Sequence, residues 1–115
     1  MGEQWREIEG TEYSVSDAGR VASHKYGKWR VLKKTTFGTG YHRVDFRTNG
    51  NRRVIKVHVL VAETFIGAKP TDKHEVNHKN GIKTDNRVEN LEWCSHRENM
   101  RHYQASRNNS EVMHG

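Results

Sequence analysis

The stretch that most constrains the fold lies between residues 74 and 103, where strand, turn and helix-start signals follow one another closely. Residues 74–78 form a short extended segment, and the Lys-Asn-Gly at 79–81 is typical of a turn, because Asn and Gly tolerate positive φ. Residues 91–93 alternate in the manner of a second strand. The Ser-x-x-Glu at 95–98 is a capping box, which predicts a helix start. The predicted order is therefore strand, long loop, strand, helix.

Four polar side chains stand at fixed positions along this stretch: Asn77, His78, Asn90 and Asn99. Together with the Asn-Leu-x-Trp that begins at 90, they resemble the ββα-metal motif of the HNH endonucleases, in its phage-type homing form. The resemblance implies that His78 is the general base and that Asn90 braces it by accepting its Nδ1–H. It also implies that Asn77 and Asn99 are metal ligands. Relatives often carry Asp or His at 77, so the neutral Asn77 predicts weaker metal binding before DNA arrives.

These residue types suit the hydrolysis of DNA phosphodiesters, which needs an activated water and charge neutralisation at the phosphate. A neutral imidazole can take a proton from water near pH 7, because its unperturbed pKa is about 6.5. Mg²⁺ and Mn²⁺ prefer oxygen ligands, and the resemblance implies one such ion on the amide oxygens of Asn77 and Asn99. The single cysteine, Cys94, excludes a four-Cys site, so no structural zinc is expected.

Two further segments precede this motif. Trp5, the run 13–16 and the Gly-Arg-Val at 19–21 resemble the small DNA-binding motif that often precedes this type of HNH domain; the same side chains also suit a small local core. Apolar residues recur at helical spacing over 57–66, and Gly67 ends the predicted helix. His58, within that helix, is interpreted as structural or as a phosphate contact.

A β-hairpin is predicted over residues 41–57. Val44 and Phe46 fall on one face of the first strand, with charged residues between them on the other face. Asn49-Gly50 is a preferred type I′ turn. A twisted antiparallel sheet with a cationic face is the simplest result.

The charge distribution predicts a polyanionic partner. Residues 1–17 carry one Arg and five acids, whereas residues 18–56 carry eleven Lys or Arg and a single acid, Asp45. Such a basic segment suits double-stranded DNA; the alternative is a surface kept soluble by its charge. The candidate DNA-contacting residues are Arg20, Lys28, Arg30, Lys33, Lys34, Arg43, Arg47, Arg52, Arg53 and Lys56, with Arg97 and Arg101 on the C-terminal helix.

The sequence therefore predicts an α+β protein with an N-terminal antiparallel β region (1–56), a linking helix and ββα-metal nuclease motif (57–107), and a frayed tail (108–115). The resemblance implies metal-dependent DNA cleavage, as a nick or a double-strand break. The alternative is a DNA-binding protein that keeps the HNH fold with weak or no catalysis. With no long apolar run and no signal peptide, a cytoplasmic protein without membrane contact is expected, as a monomer or weak dimer.

Overall fold

Residues 2–36 and 38–98 are described by the computed structural model, and antiparallel strands fill their N-terminal half. The first sheet has the order β1-β2-β3-β4 and the second the order β5-β6-β7. The predicted α+β class is confirmed. The strands are β1 (Trp5–Glu7), β2 (Tyr13–Ser16), β3 (Val21–Ser23), β4 (Arg30–Val31), β5 (Thr35–Thr36), β6 (His42–Thr48) and β7 (Asn51–Lys56).

The β6–β7 hairpin forms as its turn residues predict. Asn49 and Gly50 take φ values of 54° and 79°, which is the left-handed conformation that a type I′ turn requires. The two-residue turn pairs Thr48 with Asn51 and fixes the register of the whole hairpin. Val44 and Phe46 are buried, so the predicted apolar face of β6 is confirmed.

The linking helix follows β7 directly and changes its winding halfway. Helix α1 spans Val57–Val61, and a π-helical segment, Ala62–Ile66, continues it. The N–H of Gly67 donates to the carbonyl of Ala62 at 3.0 Å, five residues back. Gly67 then takes a φ of 141°, which ends the helix as predicted. Among the described helices none is both long and apolar enough to cross a membrane.

Two strands form the last sheet and carry the motif. β8 (His74–His78) pairs antiparallel with β9 (Leu91–Ser95), and a 3₁₀ turn, Val88–Asn90, precedes β9. Residues 96–98 are helical, and the hydroxyl of Ser95 caps them by accepting the N–H of Glu98 at 3.2 Å. The remainder of the predicted helix and the tail at 108–115 lie outside the described residues.

One buried cluster joins these elements. Side chains from the N-terminal sheet, the hairpin, the linking helix and β9 pack together, and the Tyr13 hydroxyl accepts the backbone N–H of Arg47 at 3.0 Å. Burying this apolar surface is the main stabilising contribution to the fold. The motif strands are thereby held against the N-terminal sheet. The cluster comprises Tyr13, Val15, Val21, Val44, Phe46, Val57, Leu60, Val61 and Leu91.

Candidate active site

His78 is the last residue of β8 and lies against two other rings. Its side chain is buried, and its ring centroid lies 5.0 Å from that of His58 and 5.8 Å from that of Tyr41. The rings of Tyr41 and His58 stack at 4.7 Å, with 28° between their planes. These neighbours restrict the orientation of the His78 imidazole, as a catalytic base requires.

The hydrogen bond that orients His78 comes from Asn86. The Oδ1 of Asn86 lies 2.8 Å from the Nε2 of His78, and both side chains are buried. An amide oxygen accepts, so Nε2 carries the ring proton and Nδ1 is the nitrogen that can take a proton. The prediction that Asn90 braces His78 through Nδ1–H is wrong in both the partner and the nitrogen.

Asn90 instead closes the loop between β8 and β9. Its Oδ1 accepts the N–H of Asn80 at 3.0 Å, and its Nδ2 donates to the Oδ1 of Asn80 and the carbonyl of Asp85, each at 2.9 Å. The N–H of Lys79 donates to the carbonyl of Asn90 at 2.8 Å. Asn90 therefore acts on His78 only indirectly, because it fixes the loop that carries Asn86. Its side chain is buried and its amide is fully used in these bonds, which is the physical reason that it does not reach the imidazole.

Charged groups on the outer side of the loop support the same conformation. Asp85 accepts from Asn80 at 2.7 Å and from two nitrogens of Arg87, also at 2.7 Å. The Arg87 guanidinium holds the pKa of the Asp85 carboxyl well below its usual range, and the Asn80 amide adds to this. Asp85 is therefore an anion at neutral pH, and its bonds to Asn80 and Arg87 hold the loop in this conformation.

The turn between β2 and β3 holds Asn86 from the other side. The N–H of Val88 donates to the carbonyl of Asp17 at 2.8 Å. A Cβ on Gly19, whose φ is +85°, would lie 2.8 Å from the Cβ of Asn86 and 3.0 Å from its carbonyl oxygen. Only glycine permits this approach. The N-terminal sheet therefore forms one wall of the site.

His58 lies beneath His78 as a buried, neutral histidine. Burial, together with the neighbouring His78 and Lys56, lowers the pKa of His58 to about 4. The side chain stacks on Tyr41 as well. The structural interpretation of His58 therefore agrees with its packing.

The side chains of Asn77 and Glu92 offer oxygen donors of the kind that hold a divalent cation. Asn77 and Glu92 stand opposite each other on β8 and β9, and both are half-buried. Amide and carboxylate oxygens are the ligands that Mg²⁺ and Mn²⁺ accept. Within residues 2–36 and 38–98, no three His, Cys, Asp or Glu side chains form a group suited to a metal. Asn99, the second predicted ligand, lies outside the described residues.

The β6–β7 sheet carries a cationic face, as predicted. Arg43 stands opposite Lys56, and Arg47 stands opposite Arg52. Like charges directly opposite on a sheet are destabilising, so an external polyanion would stabilise this face. Asp45 also lies on it and binds Arg52 at 2.7 Å.

Other predicted DNA-contacting residues lie in three different settings. Arg53 pairs with Phe46 and therefore lies on the opposite face of the hairpin. This placement could have been predicted from the sequence, because a two-residue turn at 49–50 fixes which residues are paired. Arg20 is held by the carboxylate of Glu3 and lies over the ring of Trp5. Lys28, Arg30, Lys33 and Arg97 are exposed, Lys34 is half-buried, and Arg101 lies outside the described residues.

Two protein-family models match separate parts of the chain. Residues 56–101 match the family model for HNH endonuclease, and residues 3–47 match the NUMOD4 motif. The chain therefore contains an HNH endonuclease domain preceded by a NUMOD4 motif, and the resemblance seen in the sequence is confirmed.

Two curated proteins and one solved structure are similar to most of this chain. DNA endonuclease I-HmuI of Bacillus phage SP01 is 36% identical over 99 residues, which cover 84% of this chain and 55% of the relative. The uncharacterized HNH endonuclease L247 of Acanthamoeba polyphaga mimivirus is 43% identical over 105 residues, 87% of this chain and 26% of the relative. A solved structure described as DNA binding and cleavage by the HNH homing endonuclease I-HmuI matches with a TM-score of 0.79 and 35% identity, over 91% of this chain and 59% of that one.

The chain is thus homologous to I-HmuI and shares its fold. It spans about half the length of I-HmuI and about a quarter of the length of the mimivirus protein.

Sequence reasoning missed two residues of the site. The sequence does not single out Asn86, because three asparagines, at 80, 86 and 90, lie within reach of His78 along the chain. The sequence indicates only that Glu92 belongs to the second strand, and no motif marks it as a site residue. Its position opposite Asn77 follows once His78 is paired with Leu91.

Proposed function

We propose that this protein is a metal-dependent DNA endonuclease that hydrolyses phosphodiester bonds with His78 as the general base. The observation that carries the proposal is the contact between His78 Nε2 and Asn86 Oδ1, because it orients the imidazole and assigns Nδ1 as the proton acceptor. The likeness to I-HmuI, a DNA endonuclease, supports the same chemistry.

The residues of this chain divide the work of the reaction. His78 removes a proton from the attacking water through Nδ1, and Asn86 stabilises the imidazolium that forms, because its carbonyl dipole faces the charged ring. Tyr41 and His58 pack against the imidazole and limit its rotation. One divalent ion, Mg²⁺ or Mn²⁺, would neutralise charge on the phosphate and the leaving oxygen. Asn77 and Asn99 are the side chains proposed to hold it.

Double-stranded DNA is the proposed substrate, and the face with Arg43, Arg47, Arg52 and Lys56 is its proposed contact surface. Its like-charge cross-strand pairs are the supporting observation. Phosphate contacts of this kind position a duplex without reading its sequence. We further propose a monomer or weak dimer that acts in the cytoplasm, the host's if the gene is carried by a phage.

Plasmid nicking tests the proposal. Wild-type protein should convert supercoiled plasmid to nicked or linear forms with Mg²⁺ or Mn²⁺ and not with a chelator. His78→Ala should slow cleavage by about 10²–10⁴-fold, the usual cost of removing a general base, with DNA affinity kept. Comparable cleavage by His78→Ala would refute the assignment of the base.

The rival function is DNA binding with the HNH fold kept as a scaffold. The neutral amide of Asn77 favours it, because a divalent ion gains less from an amide oxygen than from a carboxylate, and the Asn77 side chain is already hydrogen-bonded to Glu92. DNA binding without metal-dependent nicking, across several metals and substrates, would decide for the rival.

A further inference from the structure

The side chain of Asn77 is held by a carboxylate across the strand pair. Asn77 and Glu92 are direct partners in the β8–β9 register. The Nδ2 of Asn77 donates to the Oε1 of Glu92 at 3.0 Å. A hydrogen bond to an ionised acceptor is stronger than one between neutral groups, about twice as strong.

This contact determines which end of the Asn77 amide is available to a cation. An ionised carboxylate only accepts hydrogen bonds, so the nitrogen of the amide must face Glu92. The oxygen, Oδ1, is then the end that points away from Glu92. Donation from Nδ2 to an anion also increases the negative charge on Oδ1, which makes it a better ligand for a hard ion.

Glu75 is a second carboxylate on the same face of β8, and it has a different partner. Glu75 lies two residues before Asn77 on the same face of β8, but its cross-strand partner is Cys94. Its carboxylate lies 3.7 Å from the ring of His96. The two glutamates therefore place equal charge on one face, and Glu92 is the one that contacts the Asn77 amide.

We propose that Glu92 is a positioning residue for the divalent cation: it turns Oδ1 of Asn77 toward the ion and supplies the negative charge that the neutral amide lacks. The inference rests on the proposed function, since it concerns the ion of that site. Glu92 thereby offsets the lack of charge on the Asn77 amide.

A double-mutant cycle read by Mn²⁺ binding tests this inference without cleavage. The probe is Mn²⁺ alone, titrated into DNA-free protein and followed through the electron paramagnetic resonance signal of the free ion. Glu92→Met, which has no acceptor, should weaken Mn²⁺ binding by about 10-fold, the lower end for removing a group that supports a metal ligand. Glu92→Gln keeps an acceptor but removes the charge, so its affinity for Mn²⁺ should lie between those of the wild-type protein and Glu92→Met.

The Asn77→Asp variant separates two effects of Glu92, the orientation of the Asn77 amide and the electrostatic attraction of its carboxylate for the ion. An aspartate has no N–H to donate, so in that background only the charge of Glu92 still acts on the ion, and Glu92→Met should lower Mn²⁺ affinity less than it does with Asn77 present. Glu75→Met is the matched control, because it removes the same charge from the same face. It should cost less than half of the Glu92→Met effect on a logarithmic scale.

Four results would overturn the inference: no Mn²⁺ binding by the wild-type protein, equal affinity of wild type and Glu92→Met, an equal decrease in the two backgrounds, or an equal decrease with Glu75→Met. The nuclease proposal stands or falls separately, on plasmid nicking by the wild-type protein and its abolition in His78→Ala.

Discussion

Replacement of Gly19 by alanine should damage the active site from the N-terminal sheet. The added Cβ would lie 2.8 Å from the Cβ of Asn86, which is closer than real Cβ atoms come, and 3.0 Å from its carbonyl oxygen, which is tighter than most real contacts. Alanine at the φ of +85° costs about 1–2 kcal/mol by itself. Overpacking at a buried contact adds about 1–3 kcal/mol. We expect Gly19→Ala to lower the free energy of unfolding by about 3 kcal/mol.

The same displacement should reach His78, the proposed catalytic base. Asn86 cannot move without changing its 2.8 Å contact with His78. Misplacement of a catalytic group by about 1 Å can cost about 10²-fold in rate, so a shift of a few tenths of an ångström should cost about 10-fold. Affinity for DNA should change little, because the cationic face of β6 and β7 lies on other elements.

Gly10→Ala is the matched control for backbone strain. Gly10 has a similar φ of +77°, also in the N-terminal region, and its added Cβ would meet nothing within 4 Å. It should therefore show the cost of positive φ alone, about 1–2 kcal/mol, with normal plasmid nicking. Denaturant unfolding and nicking rates measured for both variants make the comparison. Equal stability and equal rates for Gly19→Ala and Gly10→Ala would refute the proposed contact between the turn and Asn86.

Three other measurements follow from the structure. Replacing Arg47 and Lys56 with Gln should flatten the slope of log affinity for DNA against log salt by about 1.8, at about 0.9 for each phosphate that is no longer neutralised; Arg53→Gln, on the opposite face, should leave the slope unchanged. The pKa of His58 is lowered from 6.5 in the unfolded chain to about 4 in the folded protein, so between these pH values only the unfolded chain binds a proton on His58. The free energy of unfolding therefore decreases as pH falls from 6.5 toward 4, by up to about 3 kcal/mol. Unfolding of His58→Phe should depend less on pH over that range, and identical profiles would contradict the assignment. Burial raises the pKa of the Cys94 thiol to about 11, with Glu98 contributing, so a thiol reagent should label Cys94 only after denaturant is added.

Local signals in the sequence predicted those parts of the fold that depend on local chemistry. Asn49-Gly50 predicted the hairpin turn, and the alternation around Val44 and Phe46 predicted the buried face of β6. Gly67 predicted the end of the linking helix. The π-helical winding of Ala62–Ile66 was not predictable, because the same apolar spacing serves an α-helix equally well.

The partner of His78 could not be predicted for a different reason. Asn80, Asn86 and Asn90 are chemically identical, and the path of the loop decides which of them reaches the imidazole. That path depends on contacts with the turn at Asp17 and Gly19, about 70 residues earlier in the chain. The hydrogen bonds of Asn90 show the consequence, since its amide is used entirely within the loop.

The contact of Gly19 with Asn86 indicates that the N-terminal region supports the geometry of the proposed active site in addition to any contact with DNA. A module that only held DNA would need no contact with the catalytic histidine, and its sheet could be joined to the nuclease motif by a flexible linker. Here the turn after β2 touches the residue that orients His78, and the same sheet shares a core with β9. Interfaces that are buried and closely packed resist small displacements. We therefore expect the geometry of His78, the proposed general base, to depend on the N-terminal sheet, so that loosening this sheet slows cleavage before it weakens DNA binding.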